Sequence, residues 1–414
     1  MSIYSLERNY TLSFIVITTL FSSVIGQLPY VSFLLNTFLL LGGLFIFYYK
    51  INKNDTFPKS NKMVLCFWGI LLIVSLLHHI TFIDIKFLFL TSLQLFILGS
   101  GYKYENREIL LKNMRFYLKV FVYIVSFLSI LSLLLYYMGI QFSYRGLMFI
   151  RFFDGAFDGL YLNPNTIGYV SFMAVAFIWL LKISGKINWI LWFCFSINIV
   201  CLLLCKSRTS LGALLIFLFF YKILQETPKK QCVWFIILLL FLGGMIFYSE
   251  ILINVMGFIF SKAQDDTLNG RGILWLEGIE TLNDYYMWGT GYGNFSHVML
   301  SRNPDLELMG FLGGGLHNFY LQTAVIFGVI VLFFFLCLLG SILRVRLKRN
   351  NLSVYGLLIG MKSFIIAVCF IAFFEVHMLY AANVLNTFFW IFIGVLLLTK
   401  SKNGEAIIYR YSLL

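Results

Sequence analysis

Charge is scarce in this chain of 414 residues, because Asp, Glu, Lys and Arg together make only 12% of it, against about 25% in soluble globular domains. With 60% hydrophobic residues, this excludes both a soluble globule and an intrinsically disordered chain. Proline is also scarce, and its five residues all fall between long apolar runs. No paired cysteine framework lies on a polar loop. We therefore expect the seven cysteines to be small core residues, neither disulfide-bonded nor metal-ligating.

What the sequence has in abundance is long, continuous apolar runs. Aromatic residues make 19% of the chain, and the mean hydropathy is +0.88. A membrane-spanning helix needs about 20 apolar residues, whereas a membrane β-barrel would alternate polar and apolar residues in segments of about ten. We predict an all-α polytopic membrane protein, a single transmembrane domain over 1–414 with about 12 transmembrane helices. The predicted spans are 11–28, 31–49, 63–80, 84–100, 116–139, 166–182, 188–205, 209–225, 232–248, 317–342, 353–373 and 382–399.

The net charge of +13 could indicate a nucleic-acid partner, but its distribution indicates membrane orientation. With the N-terminus in the cytoplasm, the cytoplasmic loops carry 22 Lys and Arg residues and the outer loops carry eight, with Lys362 alone inside a span. This follows the positive-inside rule. We expect no nucleic-acid partner, and Lys362 should face a cavity or a partner.

Two predicted external segments, 140–165 and 249–316, are longer than the other loops. The second forms a long extracytoplasmic loop between spans 9 and 10. Within it, apolar residues recur every three positions from Arg271 to Asp284, while three acidic residues share another face. This pattern predicts an amphipathic helix at the membrane surface. Long polar segments on one face usually carry function.

Among the five histidines, His317 is the best candidate for a general base. It follows three glycines at the point where the long loop enters a span, and glycines allow substrate and backbone to approach closely. A plain polar cap with Asn318 at a helix start is the alternative. The other four histidines lie at membrane interfaces or in loops, where a catalytic role is not needed to explain them, although His377 could pair with Glu375. They are His78, His79, His297 and His377.

Cations are few on the outer side, so each needs its own explanation. Arg208 lies in a tight external turn, where its planar guanidinium could hold a phosphate or diphosphate. Arg271 opens the predicted amphipathic helix and would combine a cation with free helix N–H groups. Simple interfacial arginines remain an alternative reading of both. Arg145 and Arg151 lie near Asp154 and Asp158. These four residues could bind a hydroxyl-rich ligand, or they could be an ordinary alternation of charge at the protein surface.

These motifs, in this order around one long external loop, resemble those of the O-antigen polymerase and O-antigen ligase superfamily of bacterial surface-polysaccharide assembly. The ligase-type pattern of His-Asn, nine residues and Gly is met by His317-Asn318 and Gly328, whereas Val331 departs from the small or aromatic residue that usually follows. The resemblance covers roughly residues 140–345 in motif detail and the whole chain in topology. The other matching elements are Asn163-Pro164-Asn165, Ser207-Arg208, Asn269-Gly270-Arg271 through Trp275 and Gly289 to Phe295.

The resemblance implies a glycosyltransferase C-like fold and a metal-independent, inverting glycosyl transfer without a cofactor. Donor and acceptor would be undecaprenyl-diphosphate-linked glycans, handled at the extracytoplasmic face of the bacterial inner membrane. A chain-length regulator and a flippase would be further partners. His317 would be the catalytic base, and Arg208 and Arg271 would bind the diphosphate. The other candidates for substrate binding are Arg151, Lys206, Asn163, Asn165, Asn318 and Glu375.

Polymerase is the preferred reading, because Val331 departs from the ligase pattern. A ligase that transfers the glycan to a lipid or protein anchor stays open, and O-antigen, capsule and exopolysaccharide are equally allowed. The rival from another class is a flippase or transporter of lipid-linked oligosaccharides. Transporters generally show two similar halves, whereas the halves of this chain look unlike.

Overall fold

The structure is a computed structural model, and its helices follow the apolar runs of the sequence. Eleven of the twelve predicted spans coincide with helices in the described residues, and the ninth, 232–248, lies almost wholly outside them. The amphipathic helix is confirmed with the predicted bounds, Arg271–Asp284. The described residues are 3–52, 62–78, 80–98, 107–144, 147–153, 155–227, 229–231, 233–234, 271–308, 310–345, 347, 352–376, 378–379 and 383–398.

The helices are numbered in chain order. They are α1 (Ile3–Phe21), α2 (Val24–Gln27), α3 (Pro29–Asn52), α4 (Lys62–Leu76), α5 (Phe82–Leu93, continued by a π-helical turn at Gln94–Leu98), α6 (Arg107–Tyr137), α7 (Pro164–Ile183), α8 (Trp189–Leu204), α9 (Arg208–Ile223), α10 (Arg271–Asp284), α11 (Phe295–Arg302), α12 (Phe311–Gly314), α13 (Phe319–Leu343), α14 (Leu352–Ile371) and α15 (Val384–Leu398). A 3₁₀ turn at Pro304–Glu307 joins α11 to α12.

By length and composition, five of these helices could cross a membrane: α3, α6, α7, α13 and α14. Three shorter apolar helices, α4, α8 and α15, pack among them. The chain is therefore an all-α polytopic membrane protein, as the apolar runs predict. Its mainly aliphatic core also contains many aromatic rings. Phe177, for example, packs against Phe364, Phe388 and Phe392 with ring centroids 4.5 to 5.7 Å apart.

Several helices begin at one end of the bundle, and polar side chains cap them there. Asn163 caps α7, Ser207 caps α9 and Asn318 caps α13, each accepting a backbone N–H of the first turn. The chain leaving α14 joins the same end, because Ala372 O accepts from Phe319 N at 2.8 Å. We call this end, formed by residues 163–165, 206–208, 316–319 and 372–376, the capped end.

Two small β-hairpins lie between α6 and α7, in the first of the long predicted loops. The first pairs β1 (Phe142–Tyr144) with β2 (Leu147–Phe149), and the second pairs β3 (Phe152–Phe153) with β4 (Ala156–Phe157), both antiparallel. The segment after them is tied to the α1–α2 turn, where Val24 N donates to Leu160 O at 2.9 Å. The residue pattern of 140–165 indicated a long external loop but not these hairpins.

The helix α13 is not the uninterrupted span predicted at 317–342. At Gly328 the backbone is non-helical, with φ 75° and ψ 167°, a region that essentially only glycine occupies. The rings of Phe319 and Phe335 have centroids 5.0 Å apart, although a straight helix would separate residues so spaced by about 24 Å along its axis. The chain therefore folds back at Gly328 into two arms, 319–327 and 329–343. A hydropathy pattern cannot detect this reversal because both arms are apolar.

The glycine-rich turn after α10 holds the apex of this fold. Thr290 N and Gly291 N donate to the Val325 and Ile326 carbonyls at 2.8 and 2.9 Å, which satisfies acceptors that the broken helix leaves open. The approach is close enough that a Cβ on Gly328 would lie 1.9 Å from a backbone oxygen of the turn. The motif spacing between His317 and Gly328 that the sequence shows therefore corresponds to the length of the first arm of α13, residues 319–327.

Candidate functional site

Four polar side chains from distant parts of the sequence meet at the capped end. The carboxylate of Glu375 is at the centre: Oε1 accepts from Asn165 Nδ2 at 3.0 Å and lies 3.5 Å from an Arg271 guanidinium nitrogen. Its other oxygen, Oε2, lies 3.7 Å from His317 Nδ1. All four were candidates from the sequence, and the structure brings them into one cluster. We call Asn165, Arg271, His317 and Glu375 the polar cluster.

The cluster lies in a partly enclosed position. The side chains of Glu375 and Arg271 are 10% and 15% exposed, whereas the His317 ring is 24% exposed. The buried carboxylate is balanced by the guanidinium, so the pair can persist away from water. The imidazole is therefore more exposed than the carboxylate and the guanidinium beside it.

A strained turn presents His317. Its φ is +48°, a left-handed conformation that non-glycine residues rarely adopt and that is often found at functional sites. Hydrogen bonds on both sides hold the turn: Leu316 N donates to Gln322 Oε1 at 2.9 Å, and Leu316 O accepts from Trp275 Nε1 at 2.8 Å. The amphipathic helix α10 thus reaches over the turn and fixes the backbone that carries the imidazole.

The other face of the imidazole lies against Gly314. A Cβ at this position would be 2.1 Å from His317 Nε2 and 2.3 Å from Cε1, so a larger residue would displace the ring. The missing side chain at Gly314 therefore makes room for the imidazole itself, and the approach of a substrate along the glycine run stays a prediction. With Nδ1 facing Glu375, Nε2 is the nitrogen left to exchange a proton with a ligand.

Arg208 lies at the same end of the bundle, as the first residue of α9. A Cβ on Gly168 of α7 would be 2.7 Å from the Ser207 side chain, and one on Gly212 would be 2.9 Å from the Phe370 ring of α14. The start of α9 is therefore wedged between the start of α7 and the end of α14. Arg208 is exposed and makes no ion pair with a described residue. Its guanidinium, next to the first N–H groups of a helix, is suited to an anion.

Two further cations lie close by in different circumstances. Lys206 has φ +48°, and its Nζ would lie 3.2 Å from a Cβ on Gly155 in the β3–β4 turn. Arg151 is paired with Asp158: its backbone N–H donates at 3.0 Å, and its Nε lies 3.4 Å from the carboxylate. Burial raises the pKa of Asp158, while the hydrogen bonds and charge of Arg151 act in the opposite direction. Arg151 thus has a structural partner, whereas Lys206 has none among the described charged groups.

Asn163 and Asn318 have local partners. Their side-chain oxygens accept from Thr166 N at 2.8 Å and from Leu321 N at 3.0 Å, the geometry of a helix N-cap. The cap anticipated for Asn318 as an alternative is therefore present. A role in substrate binding stays a prediction for both residues, and it would fall to their amide nitrogens.

Other residues singled out in the sequence lie away from this cluster. Lys362 has the partner expected of it, because its Nζ donates to the Leu343 and Val345 carbonyls at 2.8 and 2.7 Å and so caps the end of α13. His78 Nε2 lies 2.9 Å from Trp288 O, and His297 is exposed on α11. The candidates His79, Arg145, Asp154 and His377 lie outside the described residues.

Three residues that support the site were missed or left without a role. Gln322 is a buried polar residue on an apolar helix, and Trp275 lies on the apolar side of α10; either signal could have indicated a buried hydrogen bond. Asp84 is 5% exposed at the start of α5, where it accepts from Gly293 N at 2.8 Å and closes a capping box with Thr81. These residues fix the backbone around the cluster and are not part of it.

Residues 193–336, about a third of the chain, match the O-antigen ligase family. This segment is similar to the proteins of that family. The resemblance predicted from the motifs, to the O-antigen polymerase and ligase superfamily, is thereby confirmed. The matched segment runs from α8 into the second arm of α13 and contains Arg208, Arg271 and His317, while Asn165 and Glu375 lie beyond its two ends. Among curated proteins, no sequence matches the chain.

The match supports an O-antigen ligase or polymerase type of function, and hence a glycosyltransferase-like enzyme in polysaccharide biosynthesis at a membrane. The matched segment contains the histidine and both arginines predicted to bind the diphosphate, whereas the carboxylate 3.7 Å from the histidine comes from the segment after α14. The candidate site therefore requires segments on both sides of the matched segment.

Proposed function

We propose that the protein is a bacterial surface-polysaccharide polymerase that joins undecaprenyl-diphosphate-linked oligosaccharide repeat units. The observation that carries this proposal is the contact between His317 and Glu375, 3.7 Å apart at the edge of the segment that matches the O-antigen ligase family. A histidine with one nitrogen near a carboxylate, and with the other making no hydrogen bond to a described residue, has the arrangement of a general base.

In the proposed reaction, His317 Nε2 takes the proton of an acceptor sugar hydroxyl. The hydroxyl oxygen forms a bond to the anomeric carbon of the donor, and the bond from that carbon to undecaprenyl diphosphate breaks. The anomeric configuration inverts, and the diphosphate leaves with the electron pair. Glu375 orients the imidazole and stabilises the imidazolium formed. A positioned base contributes about 10²- to 10⁴-fold to the rate of such a step.

The leaving diphosphate needs positive charge, and we assign this role to Arg208 at the start of α9. Its exposed guanidinium and the N–H groups of the first turn can stabilise the charge that develops on the leaving group. Lys206, in the strained turn just before the helix, is the second candidate cation. Arg271 lies 3.5 Å from Glu375, so part of its charge serves the carboxylate. Its remaining N–H donors are assigned to the diphosphate.

We place the protein in the bacterial inner membrane, with its N-terminus cytoplasmic and the polar cluster on the extracytoplasmic face. The excess of Lys and Arg in alternate loops supports this orientation. A chain-length regulator and a flippase would be its protein partners in this setting. O-antigen, capsule and exopolysaccharide repeats remain equally suitable substrates.

A ligase is the second candidate, and the description of the matched family, O-antigen ligase, favours it. The two reactions share the donor and the base and differ in the acceptor. Purified protein in proteoliposomes, supplied with one lipid-linked repeat unit, distinguishes them. The polymerase makes a ladder of longer lipid-linked glycans from that substrate alone. Product formed only after addition of a separate lipid or protein anchor would identify a ligase, and movement of the substrate without new glycosidic bonds would identify a transporter.

A further inference from the structure

A groove lies between α3 and α5, away from the polar cluster. Its volume is about 620 Å³, within the range of about 300 to 1,000 Å³ typical of ligand sites. Its walls are mainly apolar and aromatic. The described residues that line it include Pro29, Phe33, Leu40, Phe82, Ile85 and Lys86.

The groove begins where both helices start, at Pro29 and Phe82. From Pro29 to Leu40 it follows α3 for about 16 Å. Lys86 is the only charged residue among those that line it, is exposed, and makes no ion pair with a described residue. A cation on a lipid-facing helix without a protein partner favours an anionic ligand at headgroup depth.

The opposite face of α5 supports the glycine-rich turn. Asp84 accepts from Gly293 N at 2.8 Å, and the Phe87 ring stacks on Tyr292 and Phe327 with centroids 4.3 and 5.4 Å apart. This turn and Phe327 form the apex at which α13 folds back. A ligand in the groove would therefore contact the helix that supports the segment carrying His317.

We propose that this groove binds the tail and the first phosphate of an isoprenoid diphosphate lipid, namely the lipid that carries the acceptor saccharide. This rests on the proposed function, because polymerisation joins two lipid-linked saccharides and the cations near His317 serve only the leaving diphosphate. The apolar wall from Phe33 to Leu40 takes the chain, and Lys86 takes the phosphate. Because the proposed reaction consumes an isoprenoid-linked acceptor and the groove offers one cation for one phosphate, we assign it to this lipid and not to a phospholipid.

Photo-crosslinking tests the proposal on the full-length protein in nanodiscs. The probe is an isoprenyl diphosphate with a benzophenone in its tail, and the labelled peptides are identified by mass spectrometry. We expect labelling on α3 and α5, displaced by unlabelled undecaprenyl diphosphate and not by the same excess of phosphatidylglycerol. Labelling confined to other helices, or equal displacement by phosphatidylglycerol, would overturn the proposal; the second result would identify a phospholipid site.

Two variants sharpen the test. Lys86→Gln removes one charge-assisted hydrogen bond and should weaken labelling of the groove about tenfold. The matched control is Lys222→Gln, an exposed lysine at the end of α9, which should label as the wild type. Ile85→Trp keeps the charge but fills the groove, and should also reduce labelling. Unchanged labelling of correctly folded Lys86→Gln and Ile85→Trp proteins would contradict the proposal.

The same experiment in a His317→Ala background separates this inference from the proposed function. Labelling should persist there, because the groove does not include the base. If that variant still makes polymer, the proposed catalytic role fails whatever the labelling. If it makes none and the groove is unlabelled, the groove proposal fails while the catalytic role stands.

Discussion

Replacing Gly314 by alanine is the sharpest test of the geometry at His317. The new Cβ would lie 2.1 Å from His317 Nε2, whereas ordinary contact begins near 3.4 Å. The imidazole would have to move by about 1.3 Å, and a misplacement of about 1 Å at a catalytic centre can cost about 100-fold in rate. Because the clash is with the end of a side chain, the backbone need not shift.

We therefore expect Gly314→Ala to lower kcat about 100-fold while the apparent Tm stays close to that of the wild type. The assay is polymer formation by purified protein in proteoliposomes, with a defined lipid-linked repeat unit and initial rates over a range of concentrations. Gly340→Ala is the matched control, since no atom lies within 4 Å of its Cβ position. A Gly314→Ala protein with wild-type kcat would refute the reasoning, because the base would then not need the observed position.

Three further predictions address the rest of the site and its support. Glu375→Gln keeps the shape of the side chain but removes the negative charge beside His317. It should lower kcat about 10- to 100-fold in the same assay, since an ion pair at this separation near a surface is worth up to about 4 kcal/mol. An unchanged kcat would exclude an orienting role of Glu375. Gly328→Ala places a Cβ 1.9 Å from the Met287 carbonyl oxygen, at a φ and ψ that essentially only glycine adopts. We therefore expect the free energy of unfolding to fall by about 3 kcal/mol or more, measured as a lower apparent Tm. An unshifted Tm would contradict the fold-back of α13. Lys362→Met removes the donor of the Leu343 and Val345 carbonyls, the second of which is buried, and should cost about 1 to 3 kcal/mol, measured by thermal unfolding. Thermal unfolding equal to that of the wild type would contradict a stabilising role of this cap.

Much of the fold follows from hydropathy, because helices in a membrane must satisfy their own backbone hydrogen bonds and therefore coincide with apolar runs. The amphipathic helix α10 was predicted with its observed bounds from the three-residue recurrence of its apolar side chains. Its position over the His317 turn was not, since the Trp275 hydrogen bond to Leu316 O joins segments 41 residues apart. Periodicity carries no information about such long-range contacts.

The reversal at Gly328 is invisible to the same reasoning for a physical reason. Both arms of α13 are apolar and individually helical, and one glycine with positive φ decides between a straight span and a folded one. The motif spacing from His317 places a glycine at position 328, but only the contact between Phe319 and Phe335 shows that the chain reverses there.

The members of the polar cluster could be proposed one by one from residue type and position. Their meeting could not, because Asn165 and Glu375 are 210 residues apart in the sequence. For Arg151, residue type and position alone did not decide between two roles. The sequence left it equally suited to a ligand and to surface charge alternation, and its contact with Asp158 gives it a structural partner.

The most direct test of the account is the polymer made by His317→Ala in proteoliposomes supplied with a single lipid-linked repeat unit. We expect a loss of about 10²- to 10⁴-fold in rate, with the unreacted repeat unit accumulating. His297→Ala, which changes an exposed histidine on α11, should match the wild type. Polymer of normal length, formed by His317→Ala at the wild-type rate, would contradict the assignment of His317 as the base.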